Sequence, residues 1–279
     1  MPYDLERQTA EAAARAAAAF IRPHAGRLGA DDVRAKGTHD LVTFVDEGAQ
    51  RIVVDALAEA FPTDDVIGEE GAEAVADRLG GARVWIVDPL DGTTNFTHGI
   101  PPYAVSIGLR EAGAGVVGVV LDVASGELFS AARGAGLTVD GEAARVSATD
   151  RLDDALLATG FPFRDYRYVD GYLATFEAAI RATRGLRRHG AAAVDLAWTA
   201  AGRFDGFFEA GLSPWDVAAG VVLVEAAGGR VEGLWTGADP VASGALVAAA
   251  PGVFEAVRDL ARPLGRAYRS ATEAGVPRL

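Results

Sequence analysis

The stretch Trp85-Ile86-Val87-Asp88-Pro89-Leu90-Asp91-Gly92-Thr93-Thr94-Asn95-Phe96 decides how this chain is read. A short apolar run, strand-like in composition, ends in two aspartates separated by Pro-Leu, and a Gly-Thr-Thr turn follows at once. Two carboxylates at the end of a buried strand repel each other and lose hydration unless positive charge lies between them. A hard divalent cation with oxygen ligands is the natural partner. The Gly-Thr turn offers backbone N–H groups to an anion, as a helix start does. Cation and anion at one strand end suit a phosphate ester.

Other acidic residues also stand at the ends of expected elements. Asp46 follows the strand-like Leu41 to Val45 and opens a helix expected to run to Phe61. Glu69 and Glu70 follow Val66-Ile67-Gly68, and Asp216 lies in the first turn after Ser213-Pro214-Trp215. An α/β protein places its ligands at element ends. A first-turn carboxylate such as Asp46 or Asp216 also has a plainer role, opposing the helix dipole.

Outward from these residues the pattern is mixed. A helix is expected over about Tyr3 to Ala25, and a surface loop over Gly26 to Thr38. Closely spaced strands at 83–87, 104–109, 115–122, 127–132 and 137–139 suggest an antiparallel meander. Beyond a polar, turn-rich boundary at 146–153, strands alternate with helices at 170–183, 191–201 and 214–227. The expected class is α/β (α+β), with sheets and helices in packed layers and two parts, 1–148 and 149–279.

The 279 residues, half of them apolar, suffice for a sizeable core. The chain has no cysteine, which excludes disulfides and thiolate metal sites, and a cytoplasmic location is the default. No signal peptide or membrane-spanning run is read. A net charge of −13 argues against broad nucleic-acid or anionic-membrane binding. The run Arg181, Arg184, Arg187, Arg188 reads as a solvated helix end. The four histidines lack metal-ligand spacing, with His189, beside Gly190, the best placed to touch a substrate.

The ordered set of motifs resembles the inositol monophosphatase family of lithium-sensitive, magnesium-dependent phosphatases. It comprises Asp88 to Phe96, Trp215-Asp216-Val217-Ala218-Ala219-Gly220, Lys36 with Asp40 to Asp46, Gly68-Glu69-Glu70, Pro101 to Leu109, Gly190 to Asp195, and Phe207 to Gly211. The resemblance implies a layered αβαβα sandwich, a homodimer, and two to three Mg2+ ions. It implies Glu70, Asp88, the Leu90 carbonyl, Asp91 and Asp216 as metal ligands. By the same resemblance Asp46 and Thr93 orient and deprotonate the attacking water, with Glu70 also counted as catalytic. Asp91, Gly92, Thr93, Gly190, Ala191, Ala192 and Glu209 would bind substrate, and Lys36 would stand near the metal-bearing loop. The implied reaction is hydrolysis of a small phosphate ester, inositol-1-phosphate first. Alternatives are another superfamily substrate (fructose-1,6-bisphosphate, histidinol phosphate or 3′-phosphoadenosine 5′-phosphate) or a protein-binding role in the transcription machinery. Gly190-Ala191-Ala192 departs from the more usual Gly-Ser-Ala or Gly-Thr-Ala, so a hydroxyl is missing from the ring-binding turn.

Overall fold

The computed structural model describes residues 2–29, 32–37, 40–73 and 75–274, with 36, 37 and 40 described for the backbone only. Helix α1 (Asp4–Ile21) turns Ala10, Ala13, Ala14, Ala17 and Ala18 inward, and these small side chains let α2 (Phe44–Ala60) pack close against it. Between the two helices, β1 (Val33–Gly37) and β2 (Asp40–Thr43) form an antiparallel hairpin. The end of the expected surface loop is therefore strand; the apolar alternation there is too short to signal it.

Next come β3 (Asp65–Gly68), a short α3 (Val75–Arg78), β4 (Arg83–Asp91) and α4 (Thr93–Thr97). The meander follows as β5 (Ala104–Glu111), β6 (Ala114–Asp122), β7 (Leu128–Ala132), β8 (Gly136–Val139) and β9 (Glu142–Ala144). These strands make one sheet in chain order, β3 to β9, parallel only between β3 and β4. The second half runs β10 (Leu156–Thr159), α5 (Val169–Ala182), β11 (Gly185–Arg187), α6 (Ala192–Ala200), β12 (Gly206–Ala210) and α7 (Pro214–Ala226). It continues with β13 (Arg230–Gly233), α8 (Pro240–Ser243), β14 (Ala245–Ala249), α9 (Phe254–Leu260) and α10 (Arg262–Glu273). Its sheet has the order β11-β10-β12-β14-β13, with parallel and antiparallel neighbours.

Strand periodicity sorts the layers. Trp85 and Val87 on β4 face α1 and α2, while Val84 and Ile86 face the other way, onto α6 and α7. The second sheet presents Phe207, Leu246 and Ala248 to α6 and α7, and Leu157, Phe208 and Val247 to α5, α9 and α10. The result is the layered αβαβα sandwich. Helix α7 is apolar all round because sheets lie on both sides of it. Its backbone rests directly on the first sheet: a Cβ on Gly118 would stand 2.4 Å from the Ala219 carbonyl oxygen, and one on Gly108 2.9 Å from the Ala219 nitrogen. Among the described residues no helix is long and apolar enough to cross a membrane.

Candidate active site

Residues three apart on a regular strand point to opposite faces. Asp88 and Asp91 escape this through a bulge. Asp88 pairs with Ser106 and Asp91 with Ala104, so β4 spends three residues where β5 spends two. The extra residue restores the same parity and turns both carboxylates toward one cavity. Pro89 sits in the bulge, where the lack of an N–H costs no ladder bond. The Leu90 N–H donates to Asp88 Oδ1 at 3.0 Å and fixes that carboxylate.

Asp216 arrives from the other side. It is the third residue of α7, and its Oδ2 accepts from the Ser213 N–H at 2.7 Å in a capping box. One carboxylate oxygen each from Asp88, Asp91 and Asp216 lies within 4.8 Å of the others. Asp88 and Asp91 are buried. Burial drives both far above the usual carboxylate range; the charges of Glu69, Asp91 and Asp216 add to this for Asp88, and that of Asp216 for Asp91. The Ala193 N–H, at 2.7 Å from Asp91 Oδ2, partly offsets the effect. Converging buried oxygens with so little compensation fit a hard cation such as Mg2+.

The fourth carboxylate differs from expectation. Glu69 lines the cavity and Glu70 does not. Successive residues at a strand end face opposite ways, and the Gln50 side chain fixes which one turns inward. It donates to the Glu70 carbonyl and accepts from the Glu70 N–H, both at 2.8 Å. The glutamate at the cavity is therefore Glu69, not the Glu70 expected as metal ligand and catalytic residue. Sequence alone offered two adjacent glutamates and no signal to choose between them.

Thr93 opens α4 behind Gly92, whose φ of 87° is left-handed and suits glycine. The Thr93 hydroxyl lies 2.8 Å from Asp46 Oδ1 and 3.0 Å from the Leu90 carbonyl, both acceptors for its single proton. Asp46 Oδ2 meanwhile accepts from the Thr43 N–H at 2.8 Å and from the Thr43 hydroxyl at 2.6 Å. Asp46 thus serves both as helix cap and as partner of Thr93. Burial raises its pKa more than these bonds lower it. It does not itself line the cavity, and its contact there is with Thr93, which does.

The cavity, about 570 Å3, is also lined by Leu90, Gly190, Ala191, Ala192 and Glu209. Asn95 ties the Gly190 turn to this site, donating to the His189 carbonyl at 2.7 Å and the Pro102 carbonyl at 2.9 Å. Burial and the Asp195 charge hold Glu209 well above its ordinary pKa, and Arg188 pulls it down. His189 points away from the cavity: its Nδ1 lies 2.8 Å from Asp195 Oδ1, and its ring packs against Trp198 and Phe204. Lys36 lies on β1, and its side chain is outside the described residues. The sequence reading missed Asp195, Phe161, Phe163 and Arg188, all at the cavity. Arg188 follows the unexpected edge strand β11 and lies at the cavity rim, not at a helix end.

A model of the inositol monophosphatase family matches residues 4–262, and the chain belongs to that family. The Nus factor SuhB of Pseudomonas aeruginosa is 44% identical, over 90% of this chain and 93% of that protein. The inositol-1-monophosphatase of Rhizobium meliloti is 41% identical, over 83% of this chain and 87% of its own length. Among solved structures, the extragenic suppressor protein suhB of Bartonella henselae superimposes with a TM-score of 0.84 at 36% identity. That match covers 91% of this chain and 97% of the other.

Proposed function

We propose that the protein is a cytoplasmic, Mg2+-dependent phosphatase that hydrolyses a small sugar-like phosphate monoester, inositol-1-phosphate foremost, to the alcohol and phosphate. The observation that carries this is the convergence of Asp88, Asp91 and Asp216 beside the Gly92–Thr93 helix start. Glu69, Asp88, the Leu90 carbonyl, Asp91 and Asp216 would hold two to three ions. Bound there, Mg2+ neutralises the cluster, acidifies water and stabilises the leaving alkoxide.

The chain's own groups do the rest. A water resting on Thr93 Oγ1 loses its proton to that oxygen as the hydroxyl passes its own to Asp46 Oδ1. Burial makes Asp46 a stronger acceptor than an exposed aspartate. The N–H groups of Gly92 and Thr93 take phosphate oxygens. Glu209 and the Gly190 to Ala192 turn orient the sugar hydroxyls.

The test is phosphate release from inositol-1-phosphate, fructose-1,6-bisphosphate, histidinol phosphate and 3′-phosphoadenosine 5′-phosphate, with Mg2+ and then with EDTA or Li+. Release from inositol-1-phosphate that EDTA abolishes and Li+ inhibits supports the proposal. No Mg2+-dependent release from any of the four refutes it. A homodimer belongs to the proposal, supported by Leu173 and Ile180, exposed one heptad apart on α5. Light scattering that gives a monomer mass at micromolar concentration would count against it.

Similarity to a Nus factor favours a second reading, a binding role in the transcription machinery. Pull-down with wild type and Asp88→Asn separates the two. Partner capture that survives the substitution supports a role independent of catalysis, and its absence from both proteins removes the second reading.

A further inference from the structure

The cavity reaches past the phosphate end to a rim formed by Phe161 and Phe163, after β10, and by Arg188, just before the Gly190 turn. The Arg188 guanidinium carbon lies 5.2 Å from the Phe161 ring centre and 5.1 Å from that of Phe163. The two rings stand edge to face at 5.6 Å, and Phe161 packs in turn on Tyr172 and Phe176. The cation therefore has a fixed aromatic seat.

It also lacks a carboxylate. Nearby Arg184 holds Asp154 at 2.5 Å, and His189 holds Asp195 at 2.8 Å; among the described residues no acid pairs with Arg188. Its place is close to the reacting end. A Cβ on Gly190 would stand 2.3 Å from Arg188 Nη1, and one on Gly92 would stand 3.4 Å from the Gly190 carbonyl oxygen. Only the Gly190 turn separates the guanidinium from the phosphate-binding turn. A guanidinium seated over two rings keeps N–H donors in a fork that suits a pair of anionic oxygens.

We propose that Arg188, seated on Phe161 and Phe163, forms a second anion subsite, so that a sugar phosphate whose alcohol part carries a further phosphate is preferred to the monophosphate of the same sugar. The inference rests on the phosphatase reading and narrows its substrate class. The competing role for Arg188 is only to balance Glu209 and Asp195, whose charges its field eases. That role affects every substrate alike; a subsite discriminates.

The experiment compares glucose 1-phosphate with glucose 1,6-bisphosphate on wild type, Arg188→Ala and Arg188→Lys. One charge-assisted contact predicts a kcat/KM ratio of about ten- to a hundredfold in favour of the bisphosphate, expressed in KM. The ratio should fall toward one in Arg188→Ala and be partly kept in Arg188→Lys. A wild-type ratio near one, or an equal loss on both compounds in Arg188→Ala, overturns the subsite. Calorimetric titration of both compounds into Asp46→Asn, with and without Arg188→Ala, reads the same preference without turnover. If wild type releases phosphate from neither compound nor from inositol-1-phosphate, the phosphatase reading fails while the titration still decides the subsite. At least tenfold tighter binding of the bisphosphate, lost with Arg188, supports it; equal binding refutes it.

Discussion

Single side chains at this site carry two duties, and substitutions separate them. Asp46 caps α2 through Oδ2 and holds Thr93 through Oδ1. Thr93→Val keeps the shape and removes only the hydroxyl, so turnover should fall by about 10²–10⁴ with little change in melting temperature. Turnover within threefold of wild type would remove Thr93 from the proton path. Glu69→Gln should raise the Mg2+ concentration needed for half-activity at least tenfold or so, and Glu70→Gln should not; the reverse order would restore Glu70. Asp88 and Asp91 make a prediction about stability. Both bind protons more readily folded than unfolded. Without a cation, stability therefore declines as pH rises from about 4 through their raised folded values, since the folded state holds the extra protons. Asp88→Asn removes part of that cost. The metal-free variant should melt at least about 2 °C above metal-free wild type at pH 7, yet gain less from added Mg2+ and lose turnover. Equal melting of the two metal-free proteins would show that burial and repulsion at Asp88 are not costly.

Elements were legible in the sequence where composition alone identifies them, and less so where geometry does. The apolar run into Asp88 announced β4, and Ser213-Pro214 announced α7, because a buried strand and an N-cap have local signatures. The bulge between Asp88 and Asp91 had none: it exists only in the register with the neighbouring strand β5. Strand β1, the partner of the strand-like run at β2, and the edge strand β11 were missed because short, half-exposed strands bury too little to impose alternation. The acidic cluster followed from motif residues, but which glutamate reaches the cavity depended on Gln50, nineteen residues earlier on α2. The joint between β4 and α4 is equally a matter of geometry. Gly92 has a left-handed backbone, and a Cβ there would stand 3.1 Å from the Pro102 carbonyl and 3.2 Å from Ala191 Cβ. Gly92→Ala should destabilise the protein by about 1–3 kcal/mol. By moving the Thr93 N–H and the Gly190 turn, it should also lower kcat more than tenfold. Denaturant midpoints and steady-state rates check both, and unchanged values would mean the joint tolerates a side chain.

At the scale of the whole molecule, the middle helical layer joins what the sequence divides near 146–153. Ile86 and Val120 of the first sheet, Leu196 and Val217 of α6 and α7, and Phe207 and Leu246 of the second sheet form one apolar cluster. The site spans the same seam, with Asp88 and Asp91 on one side and Asp216 and Glu209 on the other. A core shared in this way leaves neither part able to cover its inner face alone. We therefore expect the two parts to unfold together, and the close seat of α7 on β6 provides the lever. Gly118→Val would drive a side chain into the Ala219 carbonyl, overpacking that costs about 1–3 kcal/mol or more. The denaturation midpoint should drop while fluorescence and circular dichroism still report a single coincident transition, and Mg2+ affinity should weaken as Asp216 shifts with its helix. Two separated transitions, with only the first moved by Gly118→Val, would show instead that 1–148 and 149–279 are independent folding units that meet at the site.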